Sequence, residues 1–174
     1  VDLRGPEIRT ADIDDPIEIE SGSQLRFVEG TTVTPETVGL NHSIAAVAVG
    51  DTVLVDDGRI EATVTDIDGD TVVATVDSGG RLGANKSVIA PGVDFGLDIV
   101  READRREIEL AAEREVDFVA ASFVRDAEDV YTVADALEDA GGDIAIVAKI
   151  ERAVTVENME AVVDAADGVM VTRG

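Results

Sequence analysis

A change of rhythm near residue 94 constrains this chain more than any other feature of its sequence. Residues 98 to 115, rich in Glu, Arg and Ala, predict a helix that leads into the apolar strand DFVAASF. Asp126 is placed to cap a second helix, whose Val130, Val133, Ala134 and Leu137 recur on one face before Gly141-Gly142 ends it. DIAIVAKI then reads as a strand. Thr155 is placed to cap a third helix carrying Val156, Met159, Val162, Val163 and Ala166, and DGVMVT is a last strand. Apolar strands alternating with amphipathic helices signal parallel βα units buried on both faces. Three such units close no barrel, and an open parallel sheet leaves its edges exposed. The expected architecture is therefore α/β, part of an eight-unit (β/α) barrel of the TIM type.

Before residue 94 the text is different. Short runs such as IEIE, QLRFVE, TVLVDD, RIEATVTDI and TVVATV are separated by SGS, EG, DDG, DGD and SGG. Strands of this length between Gly and Asp turns predict a small antiparallel barrel or sandwich, inserted in a loop of the larger fold. The expected domains are 1–10 as the end of a barrel strand, 11–93 as the inserted all-β domain and 94–174 as the barrel segment. The chain begins Val-Asp-Leu and ends Thr172-Arg173-Gly174, both in strand-like or site-like text, and reads as a piece of a longer protein.

Composition excludes several partners. With 38 acidic against 14 basic residues the net charge is −24, which repels nucleic-acid phosphates and anionic membranes. Aromatics, at 3%, are too few for a base-stacking face. No stretch approaches the roughly 18 apolar residues of a membrane span, and there is no signal-peptide pattern. A soluble, cytoplasmic protein is expected. The acids form no block and lysine is nearly absent, a pattern that suits solubility in very high salt. Cysteine is lacking, so disulfides and thiolate metal sites are out.

Only two lysines stand among the 14 basic residues, Lys86 and Lys149. Lys149 lies in IVAKIE, where alternation puts it on the same strand face as Glu151, at the carboxyl end where parallel αβ barrels carry their active sites. Ser122 and Arg125 end the preceding strand, and Thr172 and Arg173 the following one, so three strands bring polar groups to one rim. Lys149 with Glu151 reads either as a structural ion pair or as a point charge beside a Mg²⁺-holding carboxylate, poised for phosphoryl transfer. In VDLRGPEIRT, Gly5-Pro6 forces a turn that leaves Asp2 at the rim while Glu7 and Arg9 follow the bend. VDDG at 55 to 58 reads as a hairpin turn. SGGRLGANKS, 78 to 87, is no Walker loop, because its spacing is wrong and no helix follows.

In order along nearly the whole chain, VDLRGPEIRT, GDTVLVDDGRI, GGRLGANKSVIAPG, VDFVAASFVRDAEDV and IVAKIERAVTVENMEAVVDAADGVMVTRG resemble segments of the pyruvate kinase family. The first resembles the passage from the third barrel strand into a lid domain, the next two resemble lid signatures, and the last two resemble the fourth to sixth strands with their helices. The resemblance implies transfer of phosphate from phosphoenolpyruvate to ADP, giving pyruvate and ATP. It implies Mg²⁺, with Mn²⁺ as a substitute, commonly K⁺, and a homotetrameric parent enzyme.

Residue by residue, the resemblance makes Lys149 the catalytic lysine that steadies the transferring phosphoryl group. Glu151 becomes a Mg²⁺ ligand, and Asp2 with the backbone carbonyl of Leu3 become K⁺ ligands. Arg9 and Lys86 correspond to nucleotide-phosphate contacts, Asp57 to the lid aspartate, and Arg173 and Gly174 to the start of a loop that meets substrate. Leu3 stands where potassium-dependent members carry threonine and Arg4 where they carry lysine, while Glu7 and Thr10 keep the potassium-type pattern, so the K⁺ requirement stays open. Ile89-Ala90 replaces Asn-Leu, Ser87 replaces a glycine and Thr172 replaces an alanine. Two alternatives remain at this point: a Mg²⁺-dependent lyase or aldolase acting through a pyruvate enolate, and a β-rich segment serving as a separate cation-binding or interaction module.

Overall fold

The computed structural model describes residues 1–172. It divides into two compact units: Val1–Pro6 with the chain from Leu97 onward, and Glu7–Gly96. These borders differ by a few residues from those suggested by the sequence. Ile8–Arg9 pairs with the strand at Ser87–Ile89, so it belongs with the β-rich unit and not with the barrel strand before it.

The chain opens with β1 (Asp2–Leu3) and bends at Gly5-Pro6 into the β-rich unit. There follow β2 (Ile8–Arg9), β3 (Ile17–Ile19), β4 (Gln24–Glu29), β5 (Val33–Thr34), β6 (Thr37–Leu40), β7 (Thr52–Val55), β8 (Ile60–Asp68), β9 (Thr71–Ser78), β10 (Gly80–Leu82) and β11 (Ser87–Ile89). Eight of these form one sheet in the order β2-β11-β7-β8-β9-β4-β6-β5, while β3 and β10 pair separately. Just past β2 the sheet returns on itself. Thr10 bridges Leu40, the Ala11 N–H donates to Gly39 O at 2.8 Å and the Asn41 N–H to Arg9 O at 3.1 Å. Of the barrel and the sandwich that the strand pattern allowed, the barrel is the one formed. One neighbouring pair, β4 with β6, is parallel. Leu25 and Phe27 of β4, Val53 and Val55 of β7, and Val72, Ala74 and Val76 of β9 alternate inward and are buried, the period of two expected of strands with one covered face.

The second unit continues with α1 (Glu102–Glu113), β12 (Phe118–Ala121), α2 (Ala127–Asp139), β13 (Ala145–Ile150), α3 (Ala153–Glu157), α4 (Met159–Ala165) and β14 (Gly168–Val171). Its strands are parallel, in the order β1-β12-β13-β14. Adjacent parallel strands joined through helices make this unit a section of a (β/α) barrel, and the chain as a whole an α/β fold with a small β domain between β1 and α1. Leu3, Val119, Ala121, Ile146, Ala148 and Ile150 face the helices and join Ile108, Val130, Val133, Leu137 and Val162 in one core. Each fully buried aliphatic side chain there contributes about 1.5–3 kcal/mol. The opposite face is less covered than the apolar strands suggested: Val147 and Lys149 are half-buried and Phe118 is 59% exposed. Among the described residues, no helix is long and apolar enough to cross a membrane.

Two helix starts differ from expectation. The first helix begins at Glu102, not near residue 98, because Arg101 is extended (φ −86°, ψ 170°) and acts as the N-cap. Asp104, buried in its first turn, accepts from the Arg101 N–H at 3.0 Å and Nε at 3.1 Å through one carboxylate oxygen. Its other oxygen accepts the Arg4 N–H at 3.1 Å and the Gly5 N–H at 3.4 Å. Thr155 does not cap the third helix. It lies inside α3, fully buried, and its hydroxyl donates to Val124 O; the helical run then breaks at Asn158 before α4. Asp126 caps α2 as expected, accepting the Asp129 N–H at 3.1 Å.

Candidate active site

Parallel pairing sets the register that builds the first site. Asp2 aligns with Ala120, Ala120 with Val147, and Lys149 lies two residues beyond Val147 on the face away from the helices. Lys149 Nζ therefore reaches across β12. It lies 3.1 and 3.2 Å from the two carboxylate oxygens of Asp2, 2.8 Å from Ser122 Oγ and 3.6 Å from Glu151 Oε1. Ser122 Oγ in turn lies 3.2 Å from Asp2 Oδ1. The lysine side chain is only 13% exposed. Two carboxylates share one ammonium, so the cluster carries excess negative charge. That surplus attracts cations.

Glu151 is fixed from two sides. Its Oε2 accepts the Phe123 backbone N–H at 2.9 Å, and Oε1 accepts from the Thr172 hydroxyl at 3.3 Å. Phe123 can aim that N–H because its backbone is left-handed, φ 60°, and the Arg152 guanidinium lies 5.2 Å over its ring. Gly5 allows the close approach behind it. A Cβ there would stand 2.6 Å from Ser122 O, at a φ of 63° that L side chains resist. Arg125 is held instead by Asp129, with Nε at 2.9 Å and Nη2 at 2.7 Å.

A second group of charged residues gathers in one corner of the β-rich unit. Arg9 aligns with Ser87 between β2 and β11. Thr10 exchanges hydrogen bonds with Lys86: the Thr10 N–H donates to Lys86 O at 2.8 Å, and the Lys86 N–H donates to Thr10 Oγ1 at 2.9 Å. The Arg9 side chain contacts Glu7 at 2.8 Å and Asn85 O at 2.6 Å. Asp57 is tied to Ser87: its N–H donates to Ser87 Oγ at 3.2 Å, and that hydroxyl donates to Asp57 Oδ1 at 2.9 Å. Lys86 Nζ lies 3.0 Å from Asp56 Oδ1.

Lys149, Glu151, Asp2 and Ser122 are thus brought together, and Arg9, Lys86 and Asp57 share one corner. Leu3 is 1% exposed and turns its side chain into the core. Arg173 and Gly174 lie outside the described residues. The contact between Asp2 and Lys149 spans 147 positions and has no signature in local sequence. Asp56 was likewise missed, since a turn aspartate ordinarily faces water. The doubled acid in VDDG was the only signal available. Among the described residues, no three Asp, Glu, His or Cys side chains gather as a ready-made metal site.

Comparison with known proteins decides the family. A family model described as "Pyruvate kinase, barrel domain" matches residues 1–174. The chain belongs to the pyruvate kinase family. Over its whole length it is 35% identical to a pyruvate kinase of Clostridium acetobutylicum, 36% to one of Borreliella burgdorferi and 39% to one of Bacillus licheniformis. It spans 38%, 37% and 31% of those relatives, so roughly a third of a pyruvate kinase is represented. The lyase reading gains no support from these relatives.

Proposed function

We propose that this chain is the lid and central barrel segment of an enzyme that transfers the phosphoryl group of phosphoenolpyruvate to ADP. A β-phosphate oxygen of ADP forms the new P–O bond, the bond to the enol oxygen breaks, and the released enolate takes a proton to become pyruvate. The observation that carries the reading is the position of Lys149 Nζ, gathered with Asp2, Ser122 and Glu151 at the carboxyl ends of adjacent parallel strands. Phosphoryl transfer depends on positioning and on neutralising charge that spreads over the equatorial oxygens. A compact ammonium among four oxygens of three residues supplies a directed positive charge.

Glu151 suits Mg²⁺, or Mn²⁺ in its place. Both its oxygens are oriented by protein hydrogen bonds, as an outer shell orients a ligand. Mg²⁺ commonly takes one or two carboxylates and completes its shell with water and substrate phosphate. When bound, it would neutralise phosphate charge. The fit for K⁺ is poorer: both Asp2 oxygens already face Lys149, and an ion there would share that carboxylate with the ammonium. Arg9, Lys86 and Asp57 are assigned to nucleotide binding, and Lys149, Arg173 and Gly174 to phosphoenolpyruvate.

The test is ATP formation from phosphoenolpyruvate and ADP, measured for this 174-residue chain and for the full-length enzyme that carries it. The full-length enzyme should turn over and the isolated chain should not, because four parallel strands make only part of the barrel. A full-length enzyme inert with ADP but active in aldol cleavage would overturn the reading.

A further inference from the structure

The turn at Asp56-Asp57-Gly58 does more than reverse the chain between β7 and β8. Val55 pairs with Ile60 across it, and its three residues hold positive φ in succession: 53°, 56° and 81°. Aspartate tolerates that region better than most residues, but two in a row are unusual and need a reason. The result is that Asp56 turns inward and Asp57 stays accessible. Asp56 is 7% exposed, and its N–H donates to Ser87 O at 3.0 Å. Its Oδ1 stands 3.0 Å from Lys86 Nζ, and its Oδ2 stands 3.8 Å from the exposed Arg59 Nη1. One residue further on, Asp57 and Ser87 grip each other through two hydrogen bonds. Two consecutive turn residues thus hold two consecutive residues at the start of β11.

A lysine on a flexible four-carbon stem loses considerable rotamer freedom when it binds an anion. Lys86 has lost much of that freedom already. Its ammonium is paired with the Asp56 carboxylate at 3.0 Å, and the side chain remains 35% exposed. We propose that Asp56 is a positioning residue for nucleotide binding: its shielded carboxylate holds the Lys86 ammonium in one direction, so that a nucleotide phosphate meets an ordered cation. This rests on the assignment of Lys86 to the nucleotide. Ser87, which departs from the family's glycine, adds a second tie between the same turn and the same strand.

A double-mutant cycle in the full-length enzyme tests this, with KM read separately for ADP and phosphoenolpyruvate. Asp56→Asn suits the positive φ and removes the charge; Asp56→Gly suits it equally and replaces Asn should that variant not fold. Either should raise the KM for ADP by about 5- to 10-fold and leave that for phosphoenolpyruvate within about 2-fold. Lys86→Met should raise the ADP KM further. Because Asp56 acts through Lys86, the double variant should match Lys86→Met alone. An unchanged ADP KM in the Asp56 variants, a parallel rise for both substrates, or multiplied effects in the double variant would each overturn the proposal. Should Lys86→Met itself leave the ADP KM unchanged, the nucleotide role of Lys86 falls too, which separates that failure from failure of the positioning role alone.

Discussion

In the α/β unit one ammonium is shared among groups far apart in sequence: Lys149 meets Asp2 from 147 positions away and Ser122 from 27. In the β-rich unit Lys86 is held by a single turn, through Asp56, with Asp57 and Ser87 pairing beside it. The first arrangement comes from topology, since parallel strands set side by side deliver their carboxyl ends to one rim whatever the sequence between them. The second comes from a turn, three positive φ angles in a row, which the antiparallel pairing of β7 with β11 sets beside Lys86. A site built by topology depends on close packing between strands. A site built by a turn depends on the residues that tolerate the turn.

The sharpest way to test this contrast is at the lysines. Lys149→Met in the full-length enzyme should lower kcat by a factor on the order of 10³, with circular dichroism and thermal midpoint preserved. An unaltered kcat would remove Lys149 from the transfer step and leave its cluster a structural one. A smaller effect separates the two kinds of site through glycine. Gly5→Ala places a Cβ 2.6 Å from the Ser122 carbonyl as well as at an unfavourable φ, and should cost about 3 kcal/mol in urea unfolding of this chain. Gly58→Ala meets no atom within 4 Å and should cost only about 1–2 kcal/mol, from φ alone. Equal losses would erase the distinction between packing and turn strain. Smallest is Asp126→Ala, which removes the cap of α2 and should cost about 1 kcal/mol without changing kcat.

The α/β unit was legible because its signals are periodic. Apolar strands and one-sided helices predicted the order of elements, and strand alternation placed Lys149 and Glu151 on one face, 3.6 Å apart in the structure. Legibility failed where a polar group serves a partner distant in sequence. Thr155 has the composition of a cap, yet its hydroxyl goes to Val124 O in the neighbouring loop, a use that local propensity does not encode. Asp104 reads as one more acid in a charged helix, yet it is buried under four donors. In the β-rich unit the long strands announced themselves by alternation, whereas two-residue strands such as β2 and β5 are too short to show a period. The barrel's closure, at the single bridge from Thr10 to Leu40, is therefore invisible in the text.

The buried carboxylate of Asp104 bears on how such a protein can change over time. It takes backbone N–H groups from Arg4 and Gly5, where the chain departs for the β-rich unit, and from Arg101, shortly after the chain has come back. The outgoing and returning threads are thus knotted to the same side chain, and that side chain belongs to neither thread's cargo. The stretch from residue 7 to 96 can therefore be lengthened, trimmed or resurfaced around Arg9, Asp56, Asp57 and Lys86 while its mounting bracket stays in place.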